Sequence, residues 1–312
     1  MLVTGGAGFI GSHLVDRLLS EGCGVTALDN LSQGNLKNLA RASRDPRFKF
    51  VKGDATNEDD LNKAIQGCDV VFHLAANPEV RITDAEVHFK QNLFSTYRVL
   101  EAAAGSNVKD FVFTSSSTVY GEAEQLPTPE GYSPLAPISI YGTCKLASEA
   151  LVSGYCYSRG MKGVIFRLAN IVGPRARMGV VVDLTRKLKA NPKRLEILGD
   201  GSQTKSYLLV QDCVDAMVKV VAAERGTVEA YNLGAEDAID VDTVAQTISK
   251  EMMLKDVKFF HTGGVEGGRG WVGDVKKMWL DISKLRTLGW MPEHDSAESI
   301  CEATRALLGK GE

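Results

Sequence analysis

Leu2-Val3-Thr4 runs straight into Gly5-Gly6-Ala7-Gly8-Phe9-Ile10-Gly11, a G-x-x-G-x-x-G turn between a short apolar strand and a helix. The helix shows in Ile10, Leu14, Leu18 and Leu19, which repeat at helical spacing. A turn this tight needs glycine, because a Cβ forbids its backbone conformations and keeps a phosphate at a distance. The unpaired N–H groups at the helix start and the positive end of its dipole then favour a pyrophosphate. A glycine turn alone is also an ordinary link in an αβ unit, so its context decides. Asp29 closes the second strand about 20 residues on, where a dinucleotide fingerprint carries an acid for the adenosine ribose. A carboxylate there accepts from both ribose hydroxyls and repels a 2′-phosphate, which favours NAD over NADP. The alternative for Asp29 is a strand-end turn former. Asp54 follows the third strand and either accepts from the adenine amino group or caps the next turn.

Strands and helices alternate through the first two-thirds of the chain. Strand-like runs fall at 24–28, 48–52, 69–74, 110–114 and 163–168, with long helical patterns at 89–104 and 141–159. Such βαβ units predict an α/β fold with a Rossmann-type, doubly wound parallel sheet. From about residue 170 the pattern becomes less regular, with Gly173-Pro174-Arg175 and a glycine-rich stretch at 263–273. We therefore expect a dinucleotide-binding domain over 1–169 and a smaller α/β substrate lobe over 170–312, with segments free to interleave near the boundary.

Bulk numbers exclude several classes. The net charge is −3, from 36 basic and 39 acidic residues that are mixed along the chain, so no nucleic-acid surface is expected. No apolar run reaches membrane-spanning length, and no basic segment followed by an apolar stretch marks a signal peptide. The six cysteines are scattered without a C-x-x-C pair, and the histidines form no H-E-x-x-H, so no metal site is expected. The expectation is a cytoplasmic protein with reduced thiols.

Tyr141-Gly142-Thr143-Cys144-Lys145 is a Y-x-x-x-K pair, preceded by the hydroxyl-rich strand end Thr114-Ser115-Ser116-Ser117-Thr118-Val119-Tyr120-Gly121. Positions i and i+4 share a helical face, so the Lys145 ammonium lies near the Tyr141 phenol. A nearby positive charge is expected to favour the phenolate and move its pKa from about 10 toward neutrality. By itself a Y-x-x-x-K pair is also ordinary helix surface. The glycine turn upstream turns the reading toward catalysis.

With TGGAGFIGSH, DNLSQG, GD, HLAA and SSSTVYG, this set resembles the extended short-chain dehydrogenase/reductase family over essentially the whole chain. Within that family it is most similar to UDP-glucose (UDP-galactose) 4-epimerases. The resemblance implies a catalytic set of Ser116, Tyr141 and Lys145, with Ser115 and Ser117 flanking the serine. It implies NAD held by Gly5, Gly8, Phe9, Ile10, Gly11, Asp29, Asn30, Asp54, Ala75, Asn92, Tyr141 and Lys145. Related 4,6-dehydratases carry an Asp-Glu pair just before V-Y-G, to expel water after oxidation at C4. Here those positions are Ser117 and Thr118, which leaves oxidation and re-reduction at C4.

For the substrate, the resemblance implies Ser116 at the sugar oxygen, Asn170 at the diphosphate, the backbone of Leu195 and Ile197 along the uracil, and Val180 as a further contact. Lys205 stands where the family usually has an arginine, and it loses the bidentate fork. The usual arginine three residues before Asp274 is replaced by Trp271, so Arg269 either reaches the diphosphate from a shifted loop or is a solvated loop charge. Asp274 would bind the uridine ribose. Met278, four residues further on, either gates the sugar C2 substituent or belongs to the lobe core. Trp271 and Trp290 stack on a base or pack the lobe. The implied reaction is NAD-dependent C4 epimerisation of a UDP-hexose through a 4-ketose, in a homodimer paired through the two long helices. The competing readings are a UDP-glucuronate 4-epimerase and a non-catalytic NAD-binding redox sensor.

Overall fold

The structure is a computed structural model that describes residues 1–82, 84–223 and 226–310. In chain order its elements begin β1 (Leu2–Thr4), α1 (Phe9–Ser20), β2 (Val25–Asp29), β3 (Phe48–Lys52), α2 (Glu58–Ile65) and β4 (Val70–His73). They continue α3 (Ala85–His88), a π-helical segment Phe89–Phe94, α4 (Ser95–Ala104), β5 (Asp110–Ser116), α5 (Ile140–Arg159), β6 (Lys162–Leu168) and β7 (Asn170–Val172). Then come α6 (Val180–Ala190), β8 (Arg194–Ile197), β9 (Thr204–Lys205), β10 (Tyr207–Leu209), α7 (Val210–Ala222) and β11 (Val228–Leu233). The last are β12 (Ile239–Asp240), α8 (Val241–Glu251), β13 (Lys258–His261), β14 (Lys277–Met278), α9 (Ser283–Thr287) and α10 (Ser296–Leu307).

Seven strands form one sheet in the order β11-β6-β5-β4-β1-β2-β3. The pairs β1–β2, β1–β4, β2–β3 and β4–β5 are parallel, so their C-terminal ends lie along one edge. This is the doubly wound Rossmann arrangement expected from the alternation of strands and helices. Its core takes Leu2, Leu28, Val71, Phe111 and Phe113 from the strands, with Leu61, Val99, Leu100 and Val152 from the covering helices. The central strands β1, β4 and β5 are buried along most of their length because both sheet faces are covered, whereas the edge strand β3 mixes Phe48 and Phe50 with Lys49 and Lys52.

The chain separates into two compact units. The first contains Met1–Val119, Ile140–Arg167 and Val214–Tyr231; the second contains Tyr120–Ser139, Leu168–Cys213 and Asn232–Glu312. The single boundary expected at 169/170 is therefore corrected in two places. Residues 120–139 leave the first unit because Thr128 pairs with Leu280 and its N–H donates to Trp279 O at 2.8 Å. Residues 214–231 join it because the strand they end in, β11, completes the large sheet.

In the second unit β7 pairs with β10, β9 with β12 and β14, and β8 with β13. Helices α6, α8 and α10 cover these strands with Val181, Leu184, Val244, Ile248, Ile300 and Ala303. Their starts are set locally. Asp240 caps α8, and Asp295 with Glu298 forms a capping box on α10, each cap worth about 1 kcal/mol.

Candidate active site

β1 delivers the chain into the glycine turn with Gly5 at φ +69°, and a Cβ there would stand 2.8 Å from the Ala75 nitrogen. A Cβ on Gly11 would run into the Gly5 carbonyl. Helix α1 then starts at Phe9 and Ile10 with Gly8 as its N-cap, with no capping side chain and no acid in its first turn. By contrast α2, α8 and α10 begin on Asn57, Asp240 and Asp295, whose side chains accept from first-turn N–H groups. The start of α1 is thus a glycine-lined cradle at the positive end of a helix.

Asp29 ends β2 beside this cradle. Its Oδ2 accepts from Ala7 N at 2.9 Å and its Oδ1 from Leu31 N at 2.7 Å. With the Gly8 N–H as a third donor, the carboxylate keeps one lone pair for a ribose hydroxyl. Burial pushes this carboxyl upward, against the backbone N–H groups of Leu31, Ala7 and Gly8. Asp54, past β3, accepts from Asn30 Nδ2 at 2.8 Å and from Thr56 N and Oγ1 at 2.8 and 2.7 Å. Burial opposes its charge, but Asn30 and Thr56 outweigh burial and hold the carboxyl below the usual range. It therefore caps the next turn, and its Oδ2 is shared with Asn30. The cradle and the acid both fit a dinucleotide.

Asn92, expected among the cofactor contacts, has its amide occupied by protein. Its Oδ1 accepts from Asn77 N at 2.6 Å, and its Nδ2 donates to Asn77 O and to His88 Nδ1 at 3.1 and 3.0 Å. It fixes the loop after β4, and the His88 it holds lies edge-on to Tyr141 with ring centroids 5.8 Å apart.

Ser116, Tyr141 and Lys145 come together in the first unit. Ser116 ends β5 and shares a hydrogen bond with Tyr141, while its Oγ accepts from Thr118 N at 3.2 Å and Thr118 Oγ1 at 3.0 Å. Lys145 is 4% exposed and donates to Thr114 O at 2.7 Å. Its Nζ lies 5.8 Å from the Tyr141 ring centroid and 4.8 Å from that of Phe113. Burial pushes the Tyr141 phenol up to about 12, and the Ser116 hydrogen bond only partly offsets this. The expectation that Lys145 brings the phenol toward neutrality is therefore corrected, because desolvation of the phenolate is the larger effect. Burial also takes Lys145 down to about 8, against the pull of Glu149 and Cys144.

In the second unit Lys205 and Asp274, expected to take phosphate and ribose separately, pair with each other at 2.5 Å. Arg269 is held by Glu122 at 2.7 Å and donates to Asp274 O at 3.0 Å, so it is a structural loop cation rather than a solvated one. Asn170 opens β7 with its Nδ2 buried and without a hydrogen-bond partner among the described residues. An unsatisfied buried donor costs about 1–3 kcal/mol, which an anionic oxygen would relieve.

The expected backbone contacts of β8 are corrected. Lys258 N donates to Lys193 O and Thr262 N to Ile197 O, so the alternate residues 193, 195 and 197 turn their backbone toward β13. Leu195 and Ile197 bury their side chains and have no free backbone edge. The opposite edge belongs to Glu196 and Leu198, whose carbonyls accept from Lys187 Nζ and Gln203 Nε2, both at 3.0 Å. Val180 opens α6 after Gly179 at φ +100°. Met278, on β14, is 7% exposed. Trp290 is buried as core, and Trp271 lies with its ring 5.3 Å from Lys205 Nζ. Among the described residues Asp212, Glu293 and His294 bring three metal-capable atoms within 4.8 Å of one another, a grouping that sequence spacing does not show.

Residues 1–234 match the NAD dependent epimerase/dehydratase family. The chain belongs to this family. The UDP-glucose 4-epimerase of Mycolicibacterium smegmatis is 34% identical over 320 residues, covering 100% of this chain and 99% of that protein. A solved UDP-galactose 4-epimerase superimposes with a TM-score of 0.86 at 39% identity, over 99% of this chain and 98% of that one. The UDP-glucuronic acid 4-epimerase of Bacillus cereus, solved with UDP-glucuronic acid and NAD, gives 0.89 at 30% identity over the same shares. The family resemblance and the α/β Rossmann fold read from the sequence are both borne out.

Sequence reasoning missed several residues around this epimerase/dehydratase centre. Glu149 and Arg167 form a buried ion pair at 2.7 Å, and Ser115 donates to Glu149 at 2.5 Å. Glu149 stands at i+4 from Lys145, a spacing that was there to be read. His73, inside the HLAA motif, is buried between Thr4 and Thr96 at 2.8 and 3.1 Å. No sequence signal foretells its partners, which come from β1 and α4.

Proposed function

We propose that the protein interconverts UDP-galactose and UDP-glucose by epimerisation at C4, with NAD as its resident cofactor. The observation that carries this reading is the end of β5. Ser117 and Thr118 offer hydroxyls where loss of water would need an acid and a base, and the Thr118 hydroxyl is engaged with Ser116. NAD would supply the hydride acceptor for C4 and a positive charge beside the phenol in its oxidised form, and the hydride donor once reduced. Tyr141 takes the C4 hydroxyl proton and later returns it. Ser116, which already accepts twice from Thr118, has its own proton to give to the sugar oxygen. Lys145 favours the phenolate that burial opposes. Within the second unit, Asn170, Lys205, Asp274 and the outer edge of β8 are the groups suited to the UDP moiety. Two copies pair through the helix that runs from the π-helical segment into α4 and through α5, where Phe89 and Tyr157 are 52% and 68% exposed. All six cysteines are free, and no described helix is long and apolar enough to cross a membrane, which suits action in the cytoplasm.

UDP-glucuronate epimerisation is the second reading, favoured by the TM-score of 0.89 to the Bacillus cereus structure. It needs a cation for the C6 carboxylate. The test is purified protein given UDP-galactose, UDP-glucuronate, UDP-N-acetylgalactosamine and dTDP-glucose in turn, with products separated chromatographically. UDP-glucose from UDP-galactose is expected. Turnover of UDP-glucuronate alone would move the assignment to the second reading. A 4-keto-6-deoxy product from dTDP-glucose at a comparable rate would overturn both.

A further inference from the structure

One buried charge cluster lies directly behind the catalytic set. Glu149 follows Lys145 by four residues on α5, and both side chains are buried on the same helical face. Its carboxylate is held from two strands. From β6, Arg167 donates Nη2 to Oε2 at 2.7 Å and Nε to both oxygens at 3.1 and 3.2 Å. From β5, Ser115 donates to Oε1 at 2.5 Å. Ser115 is the chain neighbour of Ser116, so one carboxylate joins the helix of Tyr141 and Lys145 to the strand end of Ser116. The Arg167 and Glu149 side chains are 8% and 7% exposed. A buried ion pair is often no more stabilising than an apolar pair of the same volume, so stability alone does not account for this one.

We propose that Glu149 is a positioning residue for the epimerase chemistry. Fixed by Arg167 and Ser115, its carboxylate locks α5 to β5 and keeps the Lys145 ammonium charged beside the Tyr141 phenol. The proposal rests on the reading of Tyr141 as the base. Lys145 is faced on α5 by Tyr141, Cys144 and Glu149, on β5 by the Phe113 ring and the Thr114 carbonyl, and on β4 by His73, which burial keeps neutral. In this set Glu149 supplies the carboxylate. Burial works against the ammonium, and Glu149 is the larger of the two groups that pull the other way. A charged ammonium in turn favours the phenolate.

The test reads the Lys145 ammonium in NAD-loaded protein. Its titration is the lysine side-chain NMR signal present in each protein and missing from the same protein carrying Lys145→Met. Glu149→Gln should lower the midpoint from about 8 by about one pH unit, which is about tenfold less ammonium at a given pH above it. Glu149→Asp keeps the charge and should restore most of that shift. With UDP-galactose, kcat should fall in Glu149→Gln while KM holds. A purely structural Glu149 would lower the melting temperature of both variants and leave the midpoint in place, which would overturn the proposal. If Glu149→Gln does not fold, Ser115→Ala leaves the ion pair whole and should shift the midpoint downward by less. An unmoved midpoint there overturns the proposal equally. The midpoint is read without substrate, so a protein that turns over no UDP-hexose counts against the proposed function only. An active epimerase with an unmoved midpoint counts against Glu149 only.

Discussion

Thr118 donates both its main-chain N–H and its hydroxyl to the Ser116 oxygen, at 3.2 and 3.0 Å. With both lone pairs of the Ser116 oxygen taken, its own proton is directed to the Tyr141 oxygen, the hydrogen-bond partner that remains. The residue standing where a dehydratase acid would be is thereby used to orient the serine.

Thr118→Val should consequently lower kcat/KM about fivefold to tenfold, the loss of one hydrogen bond worth about 1 kcal/mol. Thr118→Ser should recover most of it. Wild-type kcat/KM in the valine variant would show that this hydroxyl does not orient Ser116.

Tyr141→Phe should reduce turnover by ~10²–10⁴, the usual contribution of a positioned proton acceptor. The cradle of Gly5, Gly8 and Gly11 with Asp29 is untouched, so NAD content should match wild type. The two readouts are steady-state rate and the absorbance of dinucleotide released on denaturation. Loss of NAD along with activity would contradict the division of labour described here.

With rising pH, kcat/KM should climb about tenfold per unit up to about 8 and then level off. The sign follows from the active pair, a charged ammonium beside a phenolate, which holds one of the two protons; with Lys145 near 8 and the phenol near 12, that one-proton state is lost below pH 8 and constant above it. A profile that keeps climbing well beyond pH 8 would exclude Lys145 as the charge that matters.

His73 makes stability acid-sensitive. Its Nε2 donates to Thr96 Oγ1, because that hydroxyl already donates to Asn92 O at 2.6 Å, which leaves Nδ1 to accept from Thr4. Burial, with Lys145 nearby, takes its pKa from 6.5 to about 3. Between these values the unfolded chain binds a proton that the folded chain does not. Stability is therefore complete above the unfolded pKa and falls as pH drops toward 3, by up to about 1.4 kcal/mol per pH unit. Urea midpoints between about pH 7 and 4 should slope less in His73→Gln, and equal slopes would refute the assignment.

The first unit was easier to read than the second, for physical reasons. The glycine turn and α1 occur where the sequence places them because glycine and the 3.6-residue repeat are local signals. Strand ends moved by a residue or two, since the ladder rather than propensity decides them. The helix expected at 89–104 starts earlier, at Ala85, and has a π-helical segment within it, which a search for one period does not register. In the second unit the decisive facts are pairings. Lys205 meets Asp274 across 69 residues of chain, and Arg269 meets Glu122 across 147. Which edge of β8 lacks a partner strand depends on β13, about 60 residues downstream, so alternation alone did not tell Glu196 from Leu195.

The π-helical segment Phe89–Phe94 has one more consequence. A wide turn inside an α-helix shifts the phase of everything beyond it, so the two ends of this helix answer to different clocks. His88 at its entrance braces the tyrosine and Asn92 within it braces the loop after β4, while on the far side Val99, Leu100 and Ala103 keep to the core. Deleting a single residue between Phe89 and Phe94 would rotate one end against the other by about 100°. Such a shortened chain would retain its hydrophobic seam and lose its grip on Asn77, a fault in timing along the helix rather than in composition.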